Sequence, residues 1–290
     1  MRTLHIKHVT AYRYDQPVNK SVHRLHLRPV HDFKQSLREH ELKVSVENTP
    51  LDYEDVFGNA TTLVQIAKTY TELTIESNST VEIKDTDPFA FARVPIKRTF
   101  PLAWMPWEQT MLAPYLQPIE LPDTQLEELF EYAMSFVQRC SGDLMETLFA
   151  INLALNHEYV YTPGSTTVDT TPFDVFQTRK GVCQDFANLF ICLARLLGLP
   201  ARYVCGYIFT GNSPAKVGSD ATHAWLELYI PKVGWKAFDP TNGVLPNTDH
   251  VRVAYGRHYL DASPTSGTIY CNANESLQVS VEVADLPAAQ

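Results

Sequence analysis

The chain has 290 residues, enough for one large domain or two of ordinary size, and its 44% hydrophobic and 20% charged residues are a globular balance rather than a disordered one. A net charge of −9 with no dense Lys/Arg run argues against nucleic acid or an anionic membrane as a partner. No apolar run approaches a membrane span, and the alternating start "MRTLHIKHVTAYRY" lacks the unbroken apolar core of a secretory signal, so a cytoplasmic location is expected.

Residues 1 to about 90 read as strands, within an expected N-terminal β domain of residues 1–100. "ELKVSVEN" places Leu42, Val44 and Val46 on one face, and "ELTIES" and "TVEIKD" do the same with Leu73/Ile75 and Val81/Ile83. "DVFGNATT" supplies a Gly-Asn turn between strand signals, which completes an antiparallel β domain. This region holds His5, His8, His23, His26, His31 and His40, including two His-x-x-His pairs. Residues three apart on a strand point to opposite faces, so these read as surface histidines rather than chelates.

Residues 101–122 form a proline-rich connection carrying Trp104 and Trp107, too apolar for a free linker and expected to wrap across a domain junction. From 123 to 290 a helix-then-strand core is expected. "DTQLEELFEYAMSFVQR" repeats its apolar residues at three and four, with a Thr124/Glu127 capping-box pattern. "DLMETLFAINLALNHEY" aligns Leu144, Leu148, Ile151 and Leu155. A third helix, within "GVCQDFANLFICLARLLGLP", carries a wide apolar stripe and ends at Gly198 and Pro200. The strands "ARYVCGYIF", "HAWLELYI", "GWKAFDPT" and "SLQVSVEV" follow. Strands, then helices, then strands make an α+β fold, not an alternating parallel sheet.

Five cysteines (140, 183, 192, 205 and 271), odd in number and without a Cys-x-x-Cys pair, argue against a disulfide framework and a thiolate zinc site. Cys183 stands apart because it opens the third helix, where unpaired N–H groups and partial positive charge favour a thiolate. Gly181 before it removes bulk that would hinder approach to the sulfur, and a backbone N–H of that turn is a natural oxyanion donor. The other four read as small apolar fillers or carry no signal.

A nucleophilic thiol needs a base and a group to orient the base. His223 starts the strand "HAWLELYI" and Asp239 ends "GWKAFDPT", the two joined by the short "PKVGW". Antiparallel pairing brings the start of one strand to the end of the next, so a Cys183–His223–Asp239 triad is expected where the helix tip meets the sheet. Asp185 suits the helix dipole, and Tyr159, Tyr161, Trp225 and Trp235 read as structural.

These segments, together with "GRHYLDASPTSGTIY" and the N-terminal β region with "DVFGN", resemble the transglutaminase-like superfamily in its bacterial branch with an N-terminal β domain. The resemblance implies a papain-like core with a catalytic helix on an antiparallel sheet. It also implies Cys183 as nucleophile, His223 as general base and acid, and Asp239 as the group that orients it. Three positions depart from the branch pattern: Asn188 where His is common, Cys205 where Ser is common, and His258 where Asp is common.

The expected activity is acyl transfer on an amide or peptide bond of a peptide or protein substrate, through a thioester, with water as acceptor. An amine acceptor, as in a protein-glutamine transglutaminase, is the first alternative, and a non-catalytic peptide-binding module the second. No cofactor and no metal are expected, and no EF-hand-like loop is present.

Overall fold

Alternation of buried and outward residues, cleanest along residues 2–14, 21–25 and 73–83, builds the N-terminal region into two facing sheets. A computed structural model describes residues 1–89, 98–211, 217 and 221–286. β1 (Arg2–Val18) runs antiparallel to β6 (Tyr70–Ile83), and β3 (Gln35–Val44) lies beyond β6. The second sheet aligns β2 (Ser21–Leu25), β5 (Ala60–Ile66) and β4 (Thr49–Glu54). Tyr12, Leu25, Val64, Leu73 and Ile75 fill the space between the sheets.

Leu73, Ile75, Val81 and Ile83 point inward as their period predicts, yet both signals belong to one 14-residue strand, β6. The polar Ser77 and Ser79 that seem to interrupt it keep the alternation. Ser77 donates to the Leu27 carbonyl (3.3 Å), and Ser79 lies 2.9 Å from His40 Nδ1.

Two expectations for this region are corrected. His8, His23 and His26 are buried, not surface residues, because hydroxyls and a carbonyl partner them: Thr10 and Tyr207 at His8, Ser21 at His23, the Ser263 carbonyl at His26. The domain boundary also moves. β13 (Thr265–Ile269) pairs with β2, and β14 (Glu275–Leu286) pairs with β1 along its length, so the chain's end closes the N-terminal sheets instead of extending the core. "SLQVSVEV" alternates like any half-buried strand, and nothing in that pattern names the partner.

The core begins with α1 (Pro106–Leu116), inside the proline-rich connection: Pro106 sits at the first helical position, where its missing N–H costs nothing. Trp104 donates its indole N–H to the Gly198 carbonyl (2.9 Å), while Trp107 is exposed. α2 (Asp123–Arg139) starts after Pro122, one residue earlier than expected, so Thr124 is already helical and no Thr124–Glu127 box forms. α3 (Leu144–Glu158) is capped by Asp143, which accepts from the Glu146 N–H at 3.0 Å. β7 (Val160–Tyr161) and β8 (Lys180–Gly181) flank α4 (Pro172–Thr178).

α5 (Cys183–Leu196) then enters the interior. Ala187, Leu189, Phe190, Ile191, Cys192, Leu193 and Ala194 are all fully enclosed, which suits a helix covered on every side. One face meets β9 (Ala201–Ile208) and β10 (His223–Ile230); the others meet α2, α3 and α4. Each large side chain so enclosed contributes about 1.5–3 kcal/mol. The core sheet runs β11-β10-β9-β12, with β11 (Gly234–Phe238) and β12 (His250–Gly256) at its edges and α6 (Tyr259–Ala262) beyond. Its outer face packs Tyr207, Val251 and Val253 against Leu4, Ile6 and Val81 of the β domain.

Candidate active site

Cys183 is the first residue of α5, and its side chain is buried at the helix tip. The tip is held by Asp185, which accepts from the Val182 N–H (2.7 Å) and from the Thr166 hydroxyl (2.7 Å). Burial pushes the Asp185 carboxyl upward and these hydrogen bonds oppose that push. Gly181 has a different reason from the one expected: a Cβ there would come within 2.8 Å of Asp185 Cβ, so the glycine admits the capping carboxylate against the backbone.

The β10–β11 hairpin forms as the "PKVGW" connection predicts, with Ile230 opposite Gly234 and Leu226 opposite Phe238. Carrying that register on leaves His223 two residues past Asp239, and the turn after β11 closes the gap. Asp239 and Val244 exchange backbone hydrogen bonds of 2.9 and 3.2 Å, and Asn156 of α3 donates to the Thr241 carbonyl at 2.7 Å. His223 Nε2 thereby lies 2.8 Å from Asp239 Oδ2, both residues fully enclosed.

Asp239 is charged by design of its surroundings. Oδ1 accepts from the backbone N–H groups of Thr241 (3.0 Å) and Asn242 (3.2 Å). Oδ2 accepts from His223, from the Asn242 side chain (2.8 Å), and from His250 Nε2 (3.1 Å). Burial alone would raise this carboxyl, but the two imidazoles overcome it and hold it far below the ordinary range. His223 shows the mirror effect. Burial acts to lower its pKa, and the Asp239 charge, their hydrogen bond and the Cys183 sulfur together raise it well above the ordinary imidazole value. Nε2 is committed to the carboxylate, and Nδ1 is enclosed with no hydrogen-bond partner among the described residues.

His250 and Asn242 are the site residues that sequence reasoning missed. His250 opens β12 and packs edge-on against Trp225 at 5.2 Å, which fixes its ring over the carboxylate. Gly206, opposite His223 in the sheet, makes room for this packing: a Cβ there would meet the Val251 carbonyl at 2.0 Å and the Trp225 ring at 2.6 Å. His223, Asp239 and His250 offer ligand-type atoms within 4.8 Å of one another. Because Oδ2 already accepts three hydrogen bonds in a fully enclosed setting, a hydrogen-bonded carboxylate accounts for this cluster.

The other sequence candidates fall elsewhere. Cys192 and Cys205 are buried fillers whose thiols burial pushes up, Cys192 to about 12. Tyr159 receives a hydrogen bond from Arg179 Nη1 at 2.5 Å and is tied to that cation. Asn188 and His258 share the wall of a cavity of about 170 Å³ with Tyr259 and residues 168–172.

Residues 131–240 match the model of the transglutaminase-like superfamily, and residues 4–82 match that of the bacterial transglutaminase-like N-terminal region. An uncharacterized Mycobacterium tuberculosis protein is 33% identical over 301 residues, covering 96% of this chain and 91% of its own length. The chain belongs to the transglutaminase-like superfamily. A Pseudomonas aeruginosa protein-glutamine gamma-glutamyltransferase is also similar, 37% identical over 98 residues, 31% of this chain and 15% of that enzyme. The crystal structure of a candidate cysteine protease from Cytophaga hutchinsonii shares the fold, with a TM-score of 0.78 at 23% identity, covering 100% of this chain and 92% of that one. The superfamily core matched here spans α5, β10 and Asp239, the elements that assemble the site.

Proposed function

We propose that this chain is a cysteine-dependent acyl-transfer enzyme that cleaves amide or peptide bonds through a thioester on Cys183. The observation that carries the reading is the His223–Asp239 pair, with Nε2 2.8 Å from a wholly enclosed carboxylate, Nδ1 left without a hydrogen-bond partner among the described residues, and the Cys183 sulfur near enough to help raise the imidazole. A buried carboxylate that raises the imidazole lets it take the thiol proton and keep it.

The sulfur attacks the substrate carbonyl carbon, and the oxygen gathers charge beside the N–H groups of the first turn of α5. His223 gives its proton to the departing nitrogen, the C–N bond breaks, and the thioester remains. Asp239 holds the ring with Nδ1 toward the sulfur and stabilises the imidazolium. Water, deprotonated by His223, returns the free thiol and a carboxylic acid. An amine acceptor gives a new amide by the same steps, and the gamma-glutamyltransferase relative supports that second reading.

Thiol alkylation tests the assignment. Iodoacetamide at neutral pH is expected to modify Cys183 at least about tenfold faster than Cys140, Cys192, Cys205 or Cys271, as for a thiolate paired with a base. Cys183→Ala removes that fast phase. Slow, equal labelling of all five would instead fit a non-catalytic binding module.

A further inference from the structure

Between the β domain and the core sheet lies a cavity of about 280 Å³. Ala224, Leu226 and Leu228 of β10 join the cluster around α5, so the alternate residues Trp225 and Glu227 face the other way and line this space. Lys236 of β11 and His250 and Arg252 of β12 line it too, and the β domain adds Lys34 and Lys84. The Lys84 N–H donates to the Lys34 carbonyl at 2.9 Å, which carries the β3–β6 pairing one step further and sets the two lysines opposite each other. His250 also holds Asp239 through Nε2 at 3.1 Å, so this wall of the cavity backs directly onto that carboxylate.

Among the described residues, four Lys/Arg cations and two carboxylates line the space. Arg252 grips Asp32 with both terminal nitrogens (2.7 and 2.8 Å), and Glu227 accepts from Arg202 Nε at 2.9 Å. The remainder is Lys34, Lys84 and Lys236 with Asp87, an exposed carboxylate that accepts from the Phe89 N–H at 2.9 Å. The local balance is positive, in a chain whose net charge is −9. Burial and then the Lys34 charge lower Lys236, while Asp87 acts to raise it, so ammonium groups of the two domains oppose each other across the space. Trp225 is wholly enclosed, and its indole N–H finds no acceptor among the described residues. A buried indole N–H ordinarily has one. Converging ammonium groups and an open N–H donor are the surroundings that suit an anion.

We infer that this cavity binds a small phosphomonoester, its phosphate held by Lys34, Lys84, Lys236 and the Trp225 N–H. Three compact ammonium points suit a doubly charged oxyanion, whereas a lone carboxylate is matched best by the planar fork of an arginine, and Arg252 is already spent on Asp32. Ile83, Leu245 and Pro246 supply apolar wall for the organic part of the ester. The volume stands near the lower end of the range of about 300–1,000 Å³ for small-ligand sites. The bound dianion offsets the repulsion between the lysines of the β domain and that of the core, and so clamps one domain onto the other. No bond forms or breaks here, and the site is independent of the acyl-transfer chemistry at Cys183.

Equilibrium dialysis of the full chain against phenyl phosphate, at constant ionic strength, tests the site. The native chain is expected to bind saturably and to melt at a higher temperature when loaded. Lys236→Gln, at a half-buried position, should weaken binding about tenfold, the size of one charge-assisted hydrogen bond. Lys34→Gln should weaken it by a similar factor. Trp225→Phe keeps an aromatic ring against His250 but removes the N–H, and about a fivefold loss is expected. Benzoate, with the same ring and a single negative charge, should bind about tenfold more weakly than phenyl phosphate. The two lysines are partly exposed, so their variants keep the test decisive even where Trp225→Phe fails to fold. Absence of saturable binding overturns the site, as do Lys34→Gln and Lys236→Gln variants that bind as tightly as the native chain. Benzoate binding as tightly as phenyl phosphate overturns the phosphate assignment.

Discussion

The β domain and the core each bury a histidine beside an aspartate, and the two pairs behave in opposite ways. In the β domain, His26 Nε2 lies 3.5 Å from Asp55, whose oxygens are spent on the backbone of Phe57 and Asn59 and on the Asn59 side chain. Burial wins there, and the imidazole is lowered. In the core, His223 is 2.8 Å from a carboxylate that is itself wholly enclosed, and the imidazole is raised. Burial alone therefore makes a neutral, inert histidine. What raises it instead is an ionised partner that cannot reach water.

The largest change expected from breaking this contrast comes from Asp239→Asn. It leaves the shape of the site but removes the charge, so His223 becomes a histidine of the His26 kind. Turnover should fall by about 10³–10⁴ with little change in substrate affinity, as expected when the wrong tautomer is held. The pH dependence carries a signature of its own. With the carboxylate gone, burial is opposed only by the Cys183 sulfur, and the alkaline limb of the turnover profile should move to lower pH. Stability should respond too. The raised His223 contributes fully below its unfolded value of about 6.5 and less as pH rises through its folded one. The depressed Asp239 contributes fully above about 3.9 and less as pH falls. Thermal melts of the native chain should thus show this contribution whole between about pH 4 and 6.5, and D239N should flatten it. An unmoved alkaline limb would remove Asp239 from its role.

His250 sharpens the same contrast at smaller cost. It adds a third donor to Oδ2 without touching the sulfur, so His250→Phe keeps the ring against Trp225 but loses the hydrogen bond. A fall in kcat of about tenfold at constant KM is expected, equivalent to about 1.4 kcal/mol of positioning. His250→Gln should recover part of it. A loss confined to KM would argue against positioning.

How much of this was legible in the sequence follows from the range of each signal. The His223–Asp239 pair and the place of Cys183 at a helix tip could be read because a helix start and a hairpin are local patterns: "GVC" before an apolar stripe, and two strands joined by "PKVGW". Gly181 was noticed for the wrong reason, since its close neighbour Asp185 shows itself only once the helix turns. His250 was invisible because it reaches Asp239 from β12, a strand that pairs with β9 and not with its neighbours in sequence. The buried histidines of the β domain were misjudged for a similar reason: Tyr207 and Ser263, which partner two of them, lie more than 190 residues away. Strand patterns told which side chains point inward but not which strands meet, so the return of β14 to β1 needed the structure.

The smallest expected effect is the control for the whole contrast. His26 Nδ1 donates to the Ser263 carbonyl at 2.9 Å and ties β2 to the segment leading into β13. His26→Leu fills the space but strands that buried carbonyl, at about 1–3 kcal/mol of unfolding free energy. Because no charge near the sulfur changes, the rate of Cys183 alkylation should stay within about twofold of native once the variant is folded, as for a distant independent site. A denaturant melt paired with the alkylation rate separates the two effects. If His26→Leu slowed alkylation as strongly as Asp239→Asn, the two histidines would be doing the same job, and the ionised partner would no longer be what distinguishes them.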